Sequence, residues 1–200
     1  SSGQPNLRTT TPLSYDQRHA VKANIDFRMG EGKKYNGPTI TRKIKGTDKV
    51  KTIPLFENTG INFTFNGGSG TPYTKRDIVS NNIQGQLFGS RLPWQFWMDA
   101  QIDKDILLKL NKGEGKNKKY AYLNIYLQVL NVLNTRNIIG VYSTTGNPND
   151  DGYLAAAQNQ STIALFSDPQ SYRDLRSTLV DDPYNYAMPR RVRLGVIFNF

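Results

Sequence analysis

Few of the 200 residues have the types and spacing that reactive chemistry needs. His19 is the only imidazole, and there is no cysteine. A multi-His metal cluster and a disulfide or thiolate framework are therefore ruled out, and no activated nucleophile with its base is found. No catalytic residue and no cofactor is expected. The run 147–158, NPNDDGYLAAAQ, sets Asn147, Asn149, Asp151, Gly152 and Gln158 at the spacing of a Ca²⁺ loop. Asn stands at the first ligand position and Gln replaces the closing bidentate Glu. An Asx-rich loop tip is the expected reading, and no metal is assigned. Asp16 and Arg18 are expected as an ion pair joining a loop to a strand. What remains is a polar row of Trp97, Asp99, Asn124, Tyr126, Gln128, Arg191 and Arg193. Such side chains suit touching a solute, or packing against another domain, rather than reacting.

The charge is unevenly placed. The formal net charge is +10. Residues 28–51 hold eight Lys/Arg against two acids, and residues 104–119 hold six Lys against two acids. Those two segments account for the whole excess. Residues 134–188 are net acidic, with six Asp against three Arg. Neither basic run interleaves the aromatic side chains on which single-stranded nucleic acid stacks, so no nucleic-acid partner is expected. The basic segments read as solvated turns, which could also meet anionic headgroups of a membrane leaflet.

The elements that carry these residues are strands. The dominant period is two. In 19–29, His19, Val21, Ala23, Ile25, Phe27 and Met29 alternate with Ala20, Lys22, Asn24, Asp26 and Arg28. In 61–66, Ile61, Phe63 and Phe65 alternate with Asn62, Thr64 and Asn66. In 91–103, Leu92, Trp94, Phe96, Met98, Ala100 and Ile102 share one parity. In 120–129, Ala121, Leu123, Ile125, Leu127 and Val129 do so, and in 190–200, Val192, Leu194, Val196, Phe198 and Phe200. Each stretch sends side chains to two faces of a sheet.

An ordinary sandwich alternates too. Two features favour a membrane barrel. The stretches often reach ten residues, against about 5–6 for a typical strand, and ten or eleven tilted residues suit an apolar band ~25 Å tall. The other face carries charges and amides along its length, as a wet lumen requires. Aromatics gather near the strand ends, as in interfacial girdles. His19, Phe27, Phe63, Phe65, Trp94, Phe96, Leu123, Ile125 and Leu127 are the expected lipid-facing or girdle residues. No run approaches ~18 apolar residues, so no transmembrane helix is expected. The sequence starts SSGQPNLRTTTP, which is not a signal peptide. A processed chain, or a piece of a longer one, is expected.

The last strand reads Arg193-Leu194-Gly195-Val196-Ile197-Phe198-Asn199-Phe200. This polar–x–Gly–apolar–x–aromatic–x–aromatic pattern is similar to the C-terminal β-signal that the barrel-assembly machinery pairs with as an edge strand. Its expected signal residues are Arg193, Gly195, Val196, Phe198 and Phe200. With that direction set, strands are expected at about 17–29, 58–67, 91–106, 119–131 and 189–200. Segments 68–90 and 134–188 become extracellular loops, 30–57 and 107–118 become periplasmic turns, and the C-terminus is periplasmic. Segment 30–57 is long for such a turn, and an extra hairpin of Thr39–Lys45 with Lys49–Leu55 is one way to fill it.

At this point the chain resembles a family. Asp16-Gln17-Arg18-His19, Ser69-Gly70-Thr71-Pro72-Tyr73-Thr74, the Arg91…Asp99 strand with Asp103-Lys104, and Asn131-Val132-Leu133-Asn134-Thr135-Arg136-Asn137 occur in an order similar to the final strands of TonB-dependent outer-membrane receptors. The order and spacing resemble those of the Oar-like type, which carries an N-terminal carboxypeptidase-regulatory-like domain. The resemblance implies the C-terminal part of an all-β, antiparallel transmembrane barrel of about 22 strands. It also implies a plug domain and TonB box outside residues 1–200. Five or so strands cannot close such a barrel, and lipid tolerates no open edge.

The implied function is part of a transporter that imports a bulky nutrient across the bacterial outer membrane, driven through the TonB complex by the missing N-terminal part. Lipid, lipopolysaccharide, the barrel-assembly machinery and a surface lipoprotein are the implied partners. The alternatives are a non-transporting outer-membrane barrel that serves as a scaffold for surface proteins, and a soluble basic all-β binding module.

Overall fold

Strict alternation leaves the chain little choice but sheet. The computed structural model describes residues 10–43, 50–110 and 120–200. In chain order the strands are β1 (Ala20–Arg28), β2 (Thr39–Lys43), β3 (Val50–Pro54), β4 (Thr59–Gly68), β5 (Pro72–Tyr73), β6 (Ser90–Arg91), β7 (Gln95–Lys109), β8 (Tyr120–Leu130) and β9 (Arg191–Asn199). Two helices, α1 (Ala157–Ala164) and α2 (Pro169–Val180), precede β9. One five-stranded sheet has the order β1-β4-β7-β8-β9. The β7–β8 and β8–β9 ladders are antiparallel. Strand pairs β2–β3 and β5–β6 form small antiparallel sheets of their own. The fold is predominantly antiparallel β with few helices. Among the described residues no helix is long and apolar enough to cross a membrane.

Several boundaries differ from the sequence expectation, each for a local reason. The strand expected over 91–106 is broken. Ser90–Arg91 pairs with Pro72–Tyr73, and β7 starts only at Gln95. Pro93 lies between them and has no N–H for a ladder. At its other end β7 continues to Lys109, so residues 107–109 are strand rather than turn. Where a hairpin was one filling for 30–57, Thr39–Lys43 pairs with Val50–Pro54. Of the basic residues in the two turns, Lys45, Lys49, Lys112, Lys116, Lys118 and Lys119 lie outside the described residues.

The connection 134–188 between β8 and β9 carries both helices, which the sequence reading did not specify. Helix α2 begins at an N-cap, where the Asp168 carboxylate accepts from Gln170 N and Ser171 N, each at 3.1 Å. Pro169 occupies the first turn, where its missing N–H costs nothing. Helix α1 starts at Ala157, the last of an Ala155-Ala156-Ala157 run, and buries Ile163. Helix α1 presents no apolar stripe, whereas in α2 Tyr172, Leu175, Leu179 and Val180 do fall at helical spacing, a short signal that the sequence reading passed over.

The chain divides into two units. One comprises the residues before Lys22 together with Gly67–Phe96 and Arg136–Met188. It is built of loops, the β5–β6 pair and the two helices. The other comprises Lys22–Asn66, Trp97–Thr135 and Pro189–Phe200. It holds the body of the five-stranded sheet and the β2–β3 hairpin. Neither has a substantial apolar core. Among the described residues the buried apolar side chains are Leu92, Ala121, Ile163 and Val180.

Candidate functional site

The site is the sheet itself, because its two faces differ completely in chemistry. The ladders align Ile102 with Leu127 and Leu194, Ala100 with Val129 and Val192, and Ile106 with Leu123 and Phe198. On β1 and β4 the same alternation presents Ala23, Ile25, Phe27, Ile61, Phe63 and Phe65. Ile25 is 65% exposed, Ile102 46% and Leu194 74%. Large apolar side chains thus stand uncovered strand after strand. The expected girdle residues Phe27, Phe63 and Leu127 are exposed with them. Lys104 is the cation in this row, opposite Ile125. Its Nζ donates to Leu55 O (3.2 Å) and Glu57 O (3.0 Å), so the charge is turned away from the apolar field toward backbone carbonyls.

The opposite face is a hydrogen-bonded polar lattice. Asn24 donates to Thr64 Oγ1 (3.0 Å) and accepts from Asn62 Nδ2 (3.0 Å). Asn124 donates to Asp105 Oδ1 at 2.7 Å. Gln128 stands between Gln101 and Arg193 in the ladders. Arg28 reaches buried Asp103 with two guanidinium nitrogens, at 3.2 and 3.4 Å, and its Nε also meets Asp26 at 3.3 Å. Asp103 is opposite Tyr126, and Tyr126 is opposite Gly195. Glycine is required twice near this row. A Cβ at Gly60 would crowd Asp103 and Arg28, and one at Gly195 would collide with the Tyr126 ring. Of the expected luminal residues, Asn124 is hydrogen-bonded in this lattice, and Tyr126 and Gln128 stand on the same face. Asp99 accepts from Asn131 N (2.8 Å), Trp97 is half-buried, and Arg191 is exposed. The sequence reading missed the Arg28–Asp103 pair and Gly60. The available signal was that both glycines have the parity of the polar face.

The asparagine motif after β8 is a set of backbone clamps. Asn131 and Asn134 have φ of +53° and +52°, a conformation that Asn tolerates better than most residues. Asn131 Oδ1 accepts from Thr135 N (3.0 Å) while its Nδ2 donates to Thr135 O (3.1 Å). Asn134 Oδ1 accepts from Arg190 N (3.0 Å), fixing the approach to β9. In the other unit, buried Asn137 accepts from Phe96 N (2.9 Å) and donates to Phe96 O (2.7 Å), much as a neighbouring strand would.

In that same unit the motif residues 16–19 meet the 69–72 and Arg91 segments. Asp16 pairs with Arg91, not with Arg18 as the sequence spacing suggested. Arg91 lies on a distant segment, so sequence spacing gives no hint of it. Arg91 also donates to Gly70 O at 3.3 Å. Gln17 Nε2 donates to Ser69 O (3.0 Å), and His19 N donates to Ser69 Oγ (3.1 Å). Gly70 leaves no room for a Cβ against the Leu92 and Pro93 carbonyls. The His19 ring stacks on Trp94 (5.9 Å between centroids), and Trp94 stacks on Phe96 (6.0 Å). Three of the expected girdle residues thus form one aromatic ladder.

The oxygens of the Ca²⁺-like loop are already engaged. Asn147 Oδ1 accepts from Asn149 N, and Asp151 accepts from Tyr153 N and from Arg176. Among the described residues no group of three His, Cys, Asp or Glu could hold a metal ion. Two loop carboxylates are held below their ordinary range. For Asp168 the main cause is the Ser171 hydroxyl, and for Asp77 it is the Ser80 N–H. Asp168 caps α2 and Asp77 holds a turn, and neither belongs to a reactive cluster. A groove of about 430 Å³ lies between β3 and the end of β7, lined by Glu31, Lys51, Glu57, Lys104 and Asp105 among others. Its charges alternate in sign, and Lys104 and Glu57 are spent on backbone partners. No protein-family model, no curated protein and no solved structure matches the chain.

Proposed function

We propose that the chain is a section of the wall of a transmembrane β-barrel in a bacterial outer membrane, of the TonB-dependent receptor type, and serves import of a bulky nutrient. One observation carries this reading: an apolar face left uncovered across all five strands of a sheet that has almost no apolar core. In water a chain of this length buries most of its large aliphatic side chains. Lipid reverses that requirement on one face, and a wet lumen accounts for the amides and charges on the other. Strands β1 and β9 are the sheet's edges. In a bilayer their free backbone groups need partners, which strands outside this segment would supply. Arg193, Gly195, Val196, Phe198 and Phe200 on and beside β9 would then be the residues read by the assembly machinery.

The native polypeptide carrying this sequence is expected in the outer-membrane fraction, resistant to urea extraction. Its intact mass should be several times that of this chain, leaving room for a plug. Release into the soluble fraction by urea overturns the barrel reading. An embedded polypeptide without space for a plug favours a second reading, a non-transporting barrel that holds a surface protein. The observation behind that alternative is helix α2, whose Leu175 and Leu179, one turn apart, are both exposed.

A further inference from the structure

The β2–β3 hairpin is a sheet apart from the main one, and one of its faces has an unusual composition. The register puts Ile40 opposite Ile53 and, next along the same face, Arg42 opposite Lys51. All four side chains are exposed. Like charges directly opposite one another destabilise a hairpin, and an isolated hairpin is marginal in water at best. Among the described residues neither Arg42 nor Lys51 has an ion-pair partner. The ion pairs among the described residues belong to Arg28, Arg91 and Arg176. The other face carries Thr39, Thr41 and Thr52 with Pro54, Val50 and a single cation, Lys43.

Two aliphatic side chains beside two cations require a partner that offers apolar depth next to anions. Nucleic acid would satisfy Arg42 and Lys51 but leave both isoleucines in water. A bilayer surface with anionic headgroups satisfies all four, since long cationic stems let the charge rise to the phosphates while the aliphatic groups enter the acyl boundary. The base of the hairpin supports the same partner. Lys104, in the apolar row of the main sheet, holds the carbonyls of Leu55 and Glu57 directly after β3. That ties the hairpin to the face that lipid would cover.

We propose that the Ile40/Ile53–Arg42/Lys51 face docks onto anionic phospholipid in the periplasmic leaflet beside the barrel. The inference rests on the barrel reading above and adds a peripheral membrane contact to it. Residues 1–200 contain no cysteine, so a single label can be placed in them once any cysteine elsewhere in the native polypeptide is replaced by serine. The native polypeptide is labelled with an environment-sensitive fluorophore at Ile40→Cys, at Thr41→Cys on the opposite face, or at Ile125→Cys in the main sheet. Each form is reconstituted in phosphatidylcholine vesicles with or without phosphatidylglycerol, with doxyl-lipid quenchers. The label at 40 should be blue-shifted and quenched with phosphatidylglycerol, while the label at 41 stays aqueous. High salt should reverse the effect, and Arg42→Gln with Lys51→Gln should weaken docking by roughly thirtyfold, given the usual contribution of a basic residue near an anionic surface. Equal quenching with and without phosphatidylglycerol overturns the proposal. So does a label at 40 that responds to added DNA and not to lipid. An aqueous label at 40 with a quenched label at 125 overturns this inference alone. Aqueous labels at both positions overturn the barrel reading as well.

Discussion

The ring of Tyr126 lies over Gly195 on the neighbouring strand, in space that even a single methyl group would invade. Gly195→Ala should therefore force the phenol off its seat and destabilise the folded protein by about 1–3 kcal/mol, as overpacking does elsewhere. Thermal unfolding in detergent, followed by loss of heat-modifiable mobility, measures this. In a Tyr126→Leu background the same substitution should cost much less. An equal cost in both backgrounds would show that the glycine serves its backbone rather than the ring.

Leu127 sits mid-strand on the apolar face, between Ile102 and Leu194. In lipid, Leu127→Arg should cost about 2–4 kcal/mol, the penalty for a cation near the bilayer midplane. On a surface bathed in water the same change would cost almost nothing. Denaturant titration after reconstitution separates the two cases. Gln128→Glu, one residue along on the polar face and opposite Arg193, is the control and should be tolerated.

Asn137 joins Phe96 through both halves of its amide. Asn137→Ala removes a buried donor and acceptor together, and a loss of about 1–3 kcal/mol is expected. Hydrogen exchange localises the effect: the Phe96 amide should lose protection in the variant while the amides of β8 and β9 keep theirs. Global loss of protection would mean that the clamp supports the whole fold rather than one loop.

Asp168 and Asp77 give the loops a pH dependence of definite sign. Hydrogen bonds from the Ser171 hydroxyl and backbone at Asp168, and from the Ser80 and Val79 amides at Asp77, lower both values in the folded chain. A lowered value means that the folded state holds its proton less well than the unfolded one. The stabilisation is complete above the ordinary carboxylate range and disappears as the pH falls through the lowered values. Protection factors at Gln170 and Ser171, each referenced to unstructured peptide at the same pH, should hold at neutral pH and drop in acid. They should be low at every pH in Asp168→Ala. Pronounced loss between pH 7 and 5 would assign the effect to another group.

Period two in the sequence was enough to place the body of the large strands and to sort their side chains between two faces, because each face is chemically uniform. Ile125 and Asn124 differ by one position and by everything that matters to their surroundings. Sequence spacing failed where pairing is long-range. Asp16 has Arg18 close by in the chain, yet Arg91 is its partner. It also passed over the helices in 134–188, whose signs were the Asp168-Pro169 cap and the helical spacing of Tyr172, Leu175, Leu179 and Val180. The asparagines at 131, 134 and 137 were noticed as a motif. Their work as backbone clamps depends on left-handed φ values and on a distant Phe96 and Arg190, none of which a one-dimensional pattern displays.

The glycine row near Tyr126 has one more consequence. A strand that slides by two residues keeps every apolar group on its proper face, so neither solvent nor lipid would penalise the error. Close fit would. Moving β9 two places either way brings Arg193 or Ile197 under the Tyr126 ring in place of Gly195, and moving β4 takes Gly60 from between Arg28 and Asp103. Two absent side chains thus act as a proofreading key, accepting one alignment of otherwise interchangeable strands.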